Sequence, residues 1–352
     1  MKITNLFIRR NKTINLLKKM TYMENNSPKF SVIIPVYNRP QEVEELLESL
    51  SMQKKGVFET IIVEDGSSEK CEEVCKKFAS AVTCRYYYKE NGGPAEARNF
   101  GASKANGQWL LFFDSDCILP EQYMEKAIEG VEKEECQLFG GADRSHPSFT
   151  TLQKAIDYSM TSIITTGGIR GNKRSADKFY PRTFNMGIQK KIFEKTGGFS
   201  NMRFGEDVDF SYKVKEGGYS SKFISDAWVY HKRRNTLKTF FKQVLNSGIA
   251  RVHLTRRHPG TLKLVHLLPS AFFIGTIILA ILATSISKWF LVPLGILGFV
   301  ILIDATIKKG SVKTGIYSII TSFTQLYGYG LGLIMGWWNI CILKKEQYSI
   351  FK

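Results

Sequence analysis

Residues 108–116 read QWLLFFDSD. A short apolar run stopped abruptly by polar turn residues marks a buried strand, here Gln108–Phe113, ending in Asp114–Ser115–Asp116. The same pattern repeats upstream. Phe30–Val36 (FSVIIPV) is an apolar, β-branched run that closes around Pro35. Phe58–Val63 is a second, ending in the turn Glu64–Asp65–Gly66–Ser67–Ser68, and Thr83–Tyr88 is a third. Helical patterns lie between them. Pro40 opens one whose apolar residues Val43, Leu46, Leu47 and Leu50 recur at helical spacing. Another runs through Val74 and Phe78, a small-residue helix covers Ala95–Ala105 after the loop Asn91–Pro94, and Pro120 starts a further one before a weak strand at Cys136–Gly140. Strands alternating with helices predict right-handed crossovers, a mostly parallel Rossmann-like sheet flanked by helices, and an α/β fold. In such sheets ligands bind beyond the carboxyl ends of the strands. Polar turns follow Val36, Val63 and Phe113, so Asp65, Asp114 and Asp116 are expected to converge on one crevice.

Past residue 145 the pattern becomes irregular. Residues 150–165 have helical character, Gly167–Lys178 reads as a polar loop over the site, and Phe184–Gly187 leads into a short helix. Phe204–Phe210 (FGEDVDF) opens a helix that runs to Glu216 and stops at Gly217–Gly218. Ser221–Ile224 and Trp228–His231 are short strand candidates.

The chain has 352 residues, room for one large domain and an appendage, and carries 49 Lys+Arg against 32 Asp+Glu, a net charge of +17. Such an excess favours a polyanionic partner. There is no zinc-finger spacing or nucleic-acid motif, and the basic residues crowd near apolar segments, so the expected partner is a membrane and not nucleic acid. In residues 236–260 the apolar positions Leu237, Phe240, Phe241, Val244, Leu245, Ile249 and Val252 trace one helix face, with Lys238, Lys242, Arg251, Arg256 and Arg257 beside it or at its end. This is the pattern of a basic amphipathic helix at a membrane interface, and also that of an ordinary helix packed on a core. Three apolar segments follow within 264–343: 264–286, 289–307 and 316–343. Basic residues before Leu264 and at Lys308, Lys309 and Lys313 put those sides in the cytoplasm, predicting a multi-pass protein of the inner membrane. A third crossing at 316–343 places Lys344 and Lys345 of the tail 344–352 outside, against the positive-inside tendency. A re-entrant or interfacial segment avoids that conflict. The basic arm, residues 1–28, lacks the apolar stretch of a signal peptide. It reads as a surface arm, as disorder, or as leader before a start at Met20 or Met23. Six scattered cysteines without a CxxC pair read as free thiols, which also points to a catalytic region facing the cytoplasm.

An Asp-x-Asp turn is common on surfaces, but at the carboxyl end of an apolar strand it suits a divalent cation, Mn2+ or Mg2+, which accepts one or two carboxylates together with phosphate oxygens. Five segments then appear in order: FSVIIPVYNRP, IIVEDGSS, NGGPAEARNFG, FFDSDC and GEDVDFSYKV. Together they resemble the family 2 glycosyltransferases, which have the GT-A fold, over roughly residues 29–235. The resemblance implies a nucleotide-diphosphate sugar donor and a catalytic domain at 29–235. By position, it implies that Asp65 contacts the nucleotide base, that Pro35, Tyr37 and Asn38 wrap base and ribose, and that Arg98 helps hold the nucleotide end. Asp114 lies near ribose and metal, and Asp116 is the metal ligand. Glu206 and Asp207 form the acidic pair near the acceptor. Asp207 is the expected general base, since a nearby carboxylate can take the proton of an attacking hydroxyl, and one-step attack inverts the anomeric centre. Asp209 reads as a cap or structural residue. His231 completes the metal site, touches the diphosphate, or is structural.

The chain departs from the processive synthases, whose Gln-x-x-Arg-Trp motif is replaced by Gln243–Val244–Leu245–Asn246–Ser247. The expectation is therefore a single addition to a lipid-linked or glycan acceptor, with a processive synthase or a silent nucleotide-binding scaffold as the alternatives.

Overall fold

The computed structural model describes residues 28–54, 58–167, 179–345 and 348. The basic arm, most of the loop expected at 167–178 and most of the tail lie outside these residues. The chain begins with β1 (Phe30–Val36), α1 (Pro40–Ser51), β2 (Phe58–Asp65), α2 (Glu72–Phe78), β3 (Thr83–Lys89), α3 (Pro94–Lys104) and β4 (Trp109–Phe112). It continues with β5 (Cys117–Ile118), α4 (Tyr123–Glu134), β6 (Leu138–Gly140), β7 (Asp143–Arg144), α5 (Thr151–Thr161) and α6 (Ile163–Thr166). Next come β8 (Met186–Gln189), α7 (Lys190–Lys195), α8 (Glu206–Glu216), β9 (Ser221–Phe223) and β10 (Val229–His231). Four long helices complete it: α9 (Leu237–Arg257), α10 (Leu264–Ser285), α11 (Val292–Lys309) and α12 (Val312–Gly336).

The main sheet has seven strands in the order β3-β2-β1-β4-β8-β6-β9. The first four are parallel, as the alternation of strand and helix predicts, while β8 runs antiparallel to both β4 and β6. Alternate residues of β1 feed opposite cores. Val32, Ile34 and Val36 pack with α1 and α4, whereas Ile33 packs with α3 and the aromatic cluster of Phe193, Phe199 and Phe210. Small residues let α3 lie close to the sheet: a Cβ at Gly101 would fall 2.5 Å from Ile33 Cγ2. A second sheet, β5-β10-β7, joins the segment after Asp116 to the end of the catalytic region, with His231 opposite Cys117.

In the helical region, α10 and the stretch Lys288–Lys309 are long and apolar enough to cross a membrane, with mean hydropathies of 2.2 and 2.4. The third apolar segment behaves differently. Among the described residues α12 is not a third such helix. It packs against α5, α9, α10 and α11 and continues into a π-helical turn, Trp337–Ile342. Its contacts enclose much of the segment 316–343 in protein. The apolar face of α9 is likewise covered: Ile249 and Val252 cluster with Leu333 and Ile340. Glycines make this seam tight. A Cβ at Gly332 would sit 2.1 Å from the Leu245 carbonyl oxygen, and one at Gly248 would sit 2.3 Å from that of Tyr329. Gly332→Ala should therefore force α9 and α12 apart and cost about 1–3 kcal/mol, read as a lower melting midpoint in detergent. Gly275→Ala, with nothing within 4 Å of the new Cβ, should leave the midpoint unchanged.

Candidate active site

The parallel register brings the carboxyl ends of β1, β2 and β4 to one edge, with Ile33 opposite both Ile61 and Phe112. The turns that follow these strands line a cleft of about 1480 Å³, to which Pro35, Tyr37, Asp65, Arg98, Asp114, Asp116, Glu206, Asp207 and His231 all contribute. The Asp65 carboxylate is buried and organises the loop after β3. It accepts hydrogen bonds from the backbone N–H of Gly92 (2.9 Å) and Gly93 (2.8 Å) and from Lys89 Nζ (2.9 Å). Asn38 braces the loop after β1. Its side-chain oxygen accepts from Ser68 N (2.8 Å) and Glu69 N (3.0 Å), so it ties the loop after β1 to the turn after β2. A backbone φ of 53° turns Asn38 toward that partner.

Arg98 lines the cleft and bridges two of its acidic residues. It is 4% exposed and forks between two carboxylates, with Nη2 2.7 Å from Asp114 Oδ1 and Nη1 2.8 Å from Glu206 Oε1. Asp114 comes from the end of β4 and Glu206 from the start of α8, where Gly205, at φ 84°, makes the left-handed turn that opens the helix. Burial raises the pKa of Glu206; Arg98 opposes this and the neighbouring charge of Asp207 adds to it, leaving the group pushed up to about 7.

Across from this bridge, Asp116 Oδ2 accepts from Arg39 Nη1 at 2.6 Å. Burial works against its charge, but His231, Arg39 and Arg234 outweigh burial and hold the carboxyl well below its ordinary range. Asp116 Oδ1 is buried with no hydrogen-bond partner. It lies 3.2 Å from His231 Nε2, which is itself 3.9 Å from Asp114 Oδ2. A carboxylate oxygen lacking a donor, a second carboxylate and an imidazole nitrogen facing one another suit a divalent cation. Cys117 also faces Asp116 and His231. Its thiol is directed to the Phe184 carbonyl oxygen (3.4 Å), and burial, then the charges of Asp116 and Asp114, push its pKa far up, so it stays a thiol and contributes no thiolate. His231 is held flat by Phe184, the two rings stacking with centroids 4.8 Å apart.

Asp207 is paired with Arg182, Nη1 to Oδ2 at 3.1 Å, and its Oδ1 accepts from Val208 N at 2.7 Å. Asp209, one turn into α8, is fully buried and faces away, held by Ser200, His258 and Arg257. Sequence reasoning did not single out Arg39 or Arg182. The Asn38–Arg39–Pro40 segment of the first motif carried a signal for Arg39, but Arg182 stands in an irregular stretch with none.

The family model for glycosyl transferase family 2 matches residues 31–197. An uncharacterized glycosyltransferase of Haemophilus influenzae is 33% identical over 222 residues, covering 59% of this chain and 71% of that protein. Glycosyltransferase AglE of Haloferax volcanii is 28% identical over 218 residues, covering 60% of this chain and 69% of that protein. Among solved structures, mannosyltransferase PcManGT from Pyrobaculum calidifontis, in complex with GDP-Man and Mn2+, shares the fold with a TM-score of 0.64 at 15% identity, covering 89% of this chain and 88% of that one.

The raised Glu206 makes a specific contribution to stability. Its ordinary value is 4.5 and its value in the fold is about 7, so the contribution is full below 4.5 and is lost as pH climbs through about 7. Glu206→Gln has no proton to lose. Denaturation midpoints of the two proteins should therefore lie close together at pH 5, and the native chain should fall relative to the variant by pH 8; a gap independent of pH would refute the assignment.

Proposed function

The chain belongs to glycosyltransferase family 2, and from that premise we propose that it moves one sugar, with inversion, from a nucleotide-diphosphate sugar to a lipid-linked or glycan acceptor at the cytoplasmic face of a membrane. The observation that carries this reading is the Arg98 bridge, because it joins the strand-end Asp114 to the acidic pair on α8 across a single cleft. Donor and acceptor chemistry then share one site. Pro35 and Tyr37 stand where the nucleotide would lie, and Asp65 supports that wall through the Gly92–Gly93 loop.

Asp116, Asp114 and His231 would hold a divalent cation, Mn2+ or Mg2+, which when bound offsets the charge developing on the leaving diphosphate. Arg39 keeps Asp116 ionised and aimed at that point. Asp207 faces the cleft and takes the proton of the attacking acceptor hydroxyl, while Arg182 fixes its carboxylate in orientation. Glu206 acts through Arg98 and positions Asp114. A single base serves a one-step displacement.

The membrane reading rests on α10 and α11. Arg256 and Arg257 precede the first, and Lys308 and Lys309 end the second, so a hairpin of two crossings puts both basic ends on one side, as the positive-inside tendency favours.

Assays in membranes with a panel of labelled nucleotide-diphosphate sugars test this scheme. Asp207→Asn should lower kcat by about 10²–10⁴-fold with donor KM little changed. Asp116→Asn should abolish the manganese-dependent rise in melting temperature caused by a nucleoside diphosphate. Full turnover in both variants would remove the assignment.

A further inference from the structure

We propose that the acceptor is a glycosylated lipid phosphate, whose sugar hydroxyl meets Asp207, whose phosphate meets Arg182 and Arg251, and whose apolar chain lies in a groove between α9, α10 and α12. This rests on the glycosyl-transfer reading of the acidic centre and specifies its second substrate. The cleft that contains Asp207 does not end at the sheet edge; it continues between these helices. Its walls change character along the way. Beside α8, Arg182 pairs with Asp207, and Arg251 Nη1 lies 3.4 Å from the Tyr212 hydroxyl. Farther along, the lining includes Leu268, Phe272 and Leu326, with Gln325 and Tyr329 beside them on α12.

Close helix contacts connect the two ends. A Cβ at Gly205, where α8 begins, would sit 3.3 Å from Ala250 Cβ of α9. One at Gly330 of α12 would sit 2.4 Å from the Pro269 carbonyl oxygen of α10. The groove thus runs from the reacting carboxylate to the start of an apolar helix whose Leu264 and Leu268 are 81% and 61% exposed. A chain can enter sideways there from hydrocarbon.

Charge complementarity selects the headgroup. Arg251 Nε is buried with no hydrogen-bond partner. Arg251 nevertheless lines the cleft at the junction of its polar and apolar parts, where its guanidinium charge suits an anion attached to an apolar body. In the transfer, the sugar hydroxyl oxygen forms a bond to the anomeric carbon of the donor. The bond from that carbon to the diphosphate breaks, its electron pair leaves with the diphosphate, and the hydroxyl proton passes to Asp207.

The test uses the full chain in phosphatidylcholine nanodiscs with hexadecyl phosphate carrying a diazirine at the chain end. Ultraviolet labelling should map to the facing sides of α10 and α12. Unlabelled hexadecyl phosphate should compete, while hexadecanol and inorganic phosphate should not. Arg251→Gln should weaken labelling about ten-fold, the loss of one charge-assisted contact. Leu268→Trp, which fills the groove, should block labelling while leaving the melting shift caused by a nucleoside diphosphate intact. Label spread around the outward faces of α10 and α11, or equal competition by hexadecanol or inorganic phosphate, would overturn the groove alone. A labelled groove in a protein that no nucleoside diphosphate stabilises would overturn the transfer reading and with it the acceptor role.

Discussion

A single buried guanidinium sets the width of this site. Arg98 is carried on α3, yet its two partners come from residues 114 and 206, on opposite walls of the cleft. Removing a guanidinium from water is costly, and Asp114 and Glu206 offset that cost from two sides. Removing either leaves the buried charge with a single partner. The interaction therefore acts as a gauge: β4, α3 and the start of α8 hold one relative position or lose it together. Asp209 extends the constraint, because Arg257 and His258 tie α8 to the end of α9, and α9 is in turn locked to α12 by glycine contacts.

Carboxylates and arginines alternate around the cleft. Asp116 has Arg39, Asp114 and Glu206 share Arg98, and Asp207 has Arg182. Such pairing keeps four acidic groups close together without mutual repulsion opening the fold. It also leaves one oxygen, Asp116 Oδ1, without a hydrogen-bond partner, 3.2 Å from His231 Nε2. The same economy of charge explains how a strongly basic chain maintains an acidic centre.

Much of this was legible along the chain. Apolar runs ending at Val36, Val63 and Phe113, separated by helical patterns, read directly as parallel strands, because strand burial and crossover geometry are local consequences of residue type and spacing. The convergence of Asp65, Asp114 and Asp116 on one edge followed from that topology. Other features depended on partners that spacing does not show. The link from the Asn38 amide oxygen to Ser68 and Glu69, some thirty residues away in sequence, was one of these. The segment 316–343 read as apolar, but the seam its small residues make against α9 and α10 was not legible, because hydropathy does not distinguish a helix packed on protein from one packed on lipid.

The order of elements, the family motifs and the apolar character of the last third were determined by the sequence itself, since each rests on residues close together in the chain. Which arginine answers which carboxylate, how His231 reaches Asp116 through the pairing of β10 with β5, and where the cleft continues between the helices were decided only by the tertiary structure. The physical reason is range: strand and helix propensities act over a few residues, whereas ion pairs and helix seams join groups that meet only after the chain has folded.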